Sequence, residues 1–229
     1  MITSLSINEL KEYISHQLDC YFPDKYHFEG EDIDSAINLA LDRLDYCFSH
    51  ILLNGYRNEK NEATFNHLHS DQYSQFLYFL SNSLWKLSNN KPICDKLIFL
   101  NKVLNGMFYS YKCKLPNLFL FAHPVGTIIG NASYSDGLVI FQNVTINTDT
   151  DDKGNPAPSL GKGLFLGAGA KIIGNKPIGD RVSIGVDALV HKTEIPSDSV
   201  VLRDENGMIK VTQRKKQNCM AQNYFDIKL

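Results

Sequence analysis

From Leu160 to Val190 an aliphatic residue returns every six positions: Leu160, Leu166, Ile172, Ile178, Ile184 and Val190. Glycine follows four of them, at Gly161, Gly167, Gly179 and Gly185. A period of six fits neither the 3.6-residue repeat of a helix nor the two-residue alternation of a strand. A short fixed repeat is the mark of a solenoid, whose units bury their inner faces only by stacking. Three hexads make one triangular turn of about 18 residues. The aliphatic residue of each hexad then points to the axis. Leu160 is expected over Ile178, and Leu166 over Ile184. Small residues are expected at corners, where a tight bend needs unusual backbone angles. A β sandwich with coincidental spacing is the alternative, and it gives no reason for six consecutive matches.

The beat starts earlier, at Ile140 and Ile146. Between Ile146 and Leu160 lies the polar stretch "NTDTDDKGNPAPS", residues 147–159, which must leave the coil as a loop. After Pro196, two apolar runs flank Asn206-Gly207, a strong hairpin signal. Residues 1–106 follow a different grammar. Leu10, Tyr13, Ile14 and Leu18 fall at helical spacing, as do Ile37, Leu41, Leu44 and Phe48. A third helix opens near Ser70 or Asp71, and a fourth stops at Asn105-Gly106. Four or five helices are expected. The fold class is therefore α+β: a helical domain over 1–106, a β-solenoid over 107–202 with an inserted loop, and a C-terminal hairpin and tail over 203–229.

The 23 Lys and Arg against 25 Asp and Glu leave no basic footprint for nucleic acid. The five cysteines, Cys20, Cys47, Cys94, Cys113 and Cys219, lack metal-site spacing and suit a reducing compartment. "MITSLSINELKEYISHQ" has no basic and apolar leader pattern, and no window is apolar enough for a membrane span. A cytoplasmic location is expected.

The stretch "LGKGLFLGAGAKIIGNKPIGDRVSIGVDALV" resembles the hexapeptide-repeat acyltransferases. Within them it is similar to serine acetyltransferases, through "HPVGTIIGNA", "FQNVTIN", "LGAGAKIIGN" and the helical N-terminal part. The resemblance is specific from about residue 105 to 201. It implies a left-handed parallel β-helix, acetyl-CoA as co-substrate, no metal, and acetyl transfer to a hydroxyl. It also implies a homotrimer, or two trimers joined through the helical parts as a hexamer.

Such a transfer needs a base for the hydroxyl proton and donors for the developing oxyanion. His123, in "FAHPVG", stands where the resemblance places the catalytic histidine. A structural or surface histidine is the competing reading. His67 and His69 are spaced like a metal pair but fit a surface loop before a helix better. The pattern also departs from the family. Phe108 and Ala122 stand where aspartates are expected, and Pro156 and Ala157 replace an arginine-histidine pair. A zwitterionic amino acid wants a cation for its carboxylate and an anion for its ammonium. Their loss points to a sugar or other saccharide acceptor, met by Tyr109, Tyr134, Gln142 and Asn143, with serine as the alternative acceptor and a non-catalytic scaffold as a second alternative. Asp71 either caps its helix or substitutes as the acidic group beside the base and acceptor. Gly167, Ala168, Gly169, Gly185 and Val186 match cofactor-contacting positions, and Lys192 could meet the nucleotide phosphates. "NYFDIKL" lacks the isoleucine tail by which some serine acetyltransferases dock a partner enzyme, so no such complex is expected.

Overall fold

The structure is a computed structural model that describes all 229 residues. Four α-helices come first: α1 (Ile7–Tyr21), α2 (Glu31–Ser49), α3 (Ser70–Ser88) and α4 (Lys91–Asn105). Ser6 and Glu9 close a capping box on α1, whose Leu10, Ile14 and Leu18 are buried in line. Three carboxylates, Glu31, Asp32 and Asp34, sit in the first turn of α2, where the helix dipole favours them. Helix α3 is buried on every side from Asp71 to Leu84 and forms the centre of the helical part. Helix α4 stops at Gly106, which takes φ 63°.

The solenoid follows with about five turns. Its first face is a sheet of Phe119–Phe121, Leu138–Ile140, Phe165–Leu166, Ser183–Ile184 and Ser199–Arg203, in parallel register. The second face stacks Phe108–Tyr109, Ile128–Ile129, Thr145–Ile146, Lys171–Ile173 and Leu189–His191. The third is held by single bridges, including Leu160 to Ile178 and Ile178 to Ile195. Leu166 pairs with Ile184, so both stacked pairs expected from the hexads are present. Within the expected loop, Asp149–Thr150 pairs antiparallel with Pro156–Ala157 outside the coil, while Asn147 N–H still donates to Ile172 O and Ser159 is already bridged to Ser133 in the third face.

The reason for the hexad glycines differs from the expected one. Gly161, Gly167, Gly179 and Gly185 have no positive φ. They are small because successive turns nearly touch. A Cβ on Gly161 would lie 2.5 Å from the Gly179 carbonyl carbon, and one on Gly179 would lie 2.4 Å from Ser197 N. The left-handed conformations fall elsewhere at the corners, on Gly126, Asn143, Gly169 and Asp187.

The helices close one end of the solenoid, and the two parts share one apolar core. Tyr78 of α3 packs edge-on against Tyr109 and Phe119 of the first turn. At the far end, Ser199–Arg203 and Ile209–Gln213 form the hairpin around Asn206-Gly207. Its first strand is also the last strand of the first face, so the hairpin grows out of the final coil. The remaining chain runs back along the solenoid. Tyr224 stacks on Phe165, Phe225 bridges to Ile51, and Asp226 meets Arg57 and His50.

Candidate active site

The first corner of the solenoid joins the first face to the second. The register places Phe121 beside Ile140, and Ile140 beside Leu166 and then Ile184. On the far side of the corner Asn143 N–H donates to Val125 O, Gly169 N–H to Gln142 O, and Asp187 N–H to Ala168 O. The later turns cross the corner with two residues each: Phe141-Gln142, Gly167-Ala168 and Gly185-Val186. The first turn uses four, Ala122 to Val125, before Gly126 lies against Asn143. His123 and Pro124 are thus an excess that bulges outward. His123 adopts φ 50° and its side chain is 79% exposed.

The helical part fixes this bulge. The Asp71 carboxylate, in the first turn of α3, is only 7% exposed. Its Oδ2 accepts the His123 backbone N–H at 3.0 Å and lies 3.1 Å from His123 Nδ1. A carboxylate beside Nδ1 suits the tautomer with its proton on that nitrogen and Nε2 unprotonated. The side chain of Asp71 caps nothing: the helix begins after His69, with no side-chain cap. The helix-cap reading is therefore corrected, because both contacts of Oδ2 run to His123.

Of the residues expected on the acceptor side, the corner gathers Gln142 and Asn143 one turn from His123. Gln142 is half-buried, and its Oε1 is buried with no hydrogen-bond partner. Asn143 is exposed, and its side chain folds over Gly126. Tyr109 and Tyr134 need correction. Tyr109 is 1% exposed and its hydroxyl meets Asn101 Nδ2 at 2.9 Å, so it is core between helices and solenoid. Tyr134 turns its hydroxyl inward to donate to Gly130 O at 2.6 Å, and burial raises its pKa. Phe108 lies on the outer side of the second face, paired with Ile128.

On the cofactor side, Gly167, Ala168 and Gly169 and then Gly185 and Val186 form successive steps of the same corner column. A Cβ on Gly167 would lie 3.2 Å from Val186 N, so the corner admits no larger residue at that step without a shift. The Ala168 and Val186 N–H groups have no partner in the chain. Val186 projects into solvent at 63% exposure. Lys192 does not join them: it sits at the following corner, against Gly174. The histidines at 67 and 69 form no metal-binding cluster, and none is present anywhere in the chain. No helix is long and apolar enough to cross a membrane.

The site is thus a histidine presented at the first corner of a parallel solenoid of hexads. The chain is similar in sequence to serine acetyltransferases. That of Synechococcus elongatus is 31% identical over 120 residues, covering 52% of this chain and 49% of the relative. That of Staphylococcus epidermidis is 26% identical over 140 residues, covering 60% and 64%. The chain thus spans from about half to just under two thirds of the length of the curated relatives it matches. No protein-family model matches it. Among solved structures, the serine acetyltransferase of Neisseria gonorrhoeae superposes with a TM-score of 0.68 at 16% identity, over 98% of this chain and 86% of that one. The fold is therefore the one expected from the sequence, helices followed by a left-handed parallel β-helix.

Proposed function

We propose that the chain is an acetyl-CoA-dependent O-acetyltransferase whose acceptor is serine or a close hydroxyl analogue. The Asp71–His123 pair carries this reading. Nε2 of His123 takes the proton from the acceptor hydroxyl as that oxygen attacks the acyl carbon, and gives it to the leaving sulfur as the thioester C–S bond breaks and free CoA thiol departs. Asp71 holds the ring and stabilises the imidazolium that forms, as an orienting carboxylate does in a catalytic triad. Acetyl-CoA supplies the activated acetyl group. Gly167, Ala168, Gly169, Gly185 and Val186 would hold its pantetheine arm, with the free N–H groups of Ala168 and Val186 as donors.

The names of the sequence relatives favour serine over the saccharide expected from the residues alone. One observation keeps the neutral acceptor as a second reading: Pro156 and Ala157 pair with Thr150 and Asp149 and put no cation in the inserted loop at that point. We further propose a homotrimer in a cytoplasmic setting. Val125, Ile128, Val186 and Leu189 are 47% exposed or more on one side of the solenoid, two apolar spots separated by Thr145 and Lys171 and suited to a second copy.

The test is thiol release from acetyl-CoA with serine and a panel of sugars, comparing wild type and His123→Ala. Turnover with serine, reduced about 100-fold or more in the variant, supports base and acceptor together. Turnover with sugars alone moves the second reading to the front. Failure to bind acetyl-CoA overturns the enzyme reading.

A further inference from the structure

A second polar feature lies away from the His123 corner, where α2 and α3 meet the segment 110–117. Arg43 of α2 reaches α3, and its Nη1 donates to Asn82 Oδ1 at 3.0 Å and Ser83 Oγ at 2.9 Å. Its guanidinium lies 4.5 Å from the Phe79 ring centroid. The Asn82 amide, 1% exposed, then donates to Tyr111 O at 2.8 Å and Cys113 O at 3.3 Å. One buried amide therefore ties Arg43 to the segment that carries Lys112 and Lys114. Lys86 lies one helical turn beyond Asn82.

None of these four cations has a carboxylate partner. The ion pairs of the chain all lie elsewhere. Lys112 rests over the Trp85 ring, 4.6 Å from its centroid. Arg43 has neutral partners only, and its Nη2 has none. Burial and the charges of Arg43 and Lys114 hold the Lys86 ammonium below its ordinary pKa. Two adjoining cavities open here, of about 570 and 260 Å³, and share Asn117. The larger is lined by Lys114 and Lys162, the smaller by Arg43. Asp136 and Asp42 also line them, but Asp136 Oδ1 accepts the Leu118 N–H and neither pairs with a cation.

Four cations gathered beside only two unpaired carboxylates cost stability unless something else sets them there. A guanidinium fixed by its neighbours, with a free edge toward a cavity, presents the fork that suits a phosphate oxygen pair. We propose that this groove binds a small phosphorylated ligand, with Arg43 as the fork, Lys114 as the flanking charge of the adjoining cavity, and Lys86, which lines neither cavity, adding its field from α3. The site shares no residue with the His123 corner and stands independently of the acetyl-transfer reading.

The probe is inorganic pyrophosphate, titrated calorimetrically into the full chain at fixed ionic strength. Saturable binding with one site per chain is expected. Lys86→Gln and Lys114→Gln remove exposed side chains and should leave the thermal transition in place while weakening affinity about tenfold or more. Arg43→Lys keeps the charge, loses the fork and should weaken it further. Heats that do not saturate would overturn the proposal, as would equal affinity in wild type and both lysine variants.

Discussion

The carboxylate of Asp71, the second residue of α3, lies 3.1 Å from Nδ1 of His123, fifty-two positions later at the first corner of the solenoid. The same oxygen accepts the His123 backbone N–H, so one acid sets both the ring and the φ 50° backbone that presents it. Asp71→Asn keeps the shape and removes the charge. In an acetyl-transfer assay kcat should fall about 100-fold or more while the KM for acetyl-CoA holds. An unchanged kcat–pH profile would show that Asp71 only braces the loop.

The hexad glycines should divide sharply from loop glycines. Gly161→Ala drives a Cβ into the backbone of the next turn, 2.5 Å from the Gly179 carbonyl carbon and oxygen. A loss of about 2 kcal/mol or more is expected in urea unfolding. Gly154→Ala meets nothing within 4 Å and bears only the strain of φ 80°, about 1 kcal/mol. Equal losses would contradict the close-approach account.

Asp198 gives the last coils an acid sensitivity. Arg181 donates to it through Nε at 2.8 Å and Nη2 at 2.6 Å, and Arg214 adds a further contact. These bonds hold its carboxyl down to about 2. A depressed folded-state pKa means stability present above the unfolded value of about 3.9 and lost as pH falls toward 2. Asp198→Asn should therefore lower the urea midpoint at pH 7 more than at pH 3. A pH-independent difference would show that the pair is not linked to proton uptake.

Thiol reactivity should count one. Cys20 is exposed, while Cys47, Cys94, Cys113 and Cys219 are buried. Burial pushes the Cys47 and Cys94 thiols up to about 12 and Cys113 up to about 11. A disulfide reagent at pH 8 should titrate one thiol per native chain and five after unfolding. Rapid reaction of a second thiol would mean that the shared core opens.

The sequence by itself determined the solenoid, its stacked rows and its hairpin, because a six-residue beat is a local property. Each hexad needs only its own aliphatic residue and a neighbour one turn away, so Leu160 over Ile178 could be read from spacing alone. His123 stood out in "FAHPVG" through its resemblance alone, and the two-residue excess that presents it follows from the register of Phe121 beside Ile140. Other features required the tertiary structure. Asp71 reads locally as a helix-start acid, and only the docking of α3 on the first turn brings it to His123. Tyr109 and Tyr134 read as contacts for the acceptor, yet the helices bury Tyr109, and Tyr134, half-buried, turns its hydroxyl inward to Gly130 O. The helical part acts over distances that no periodicity encodes, so the corner histidine was visible in the chain and its partner was decided by packing.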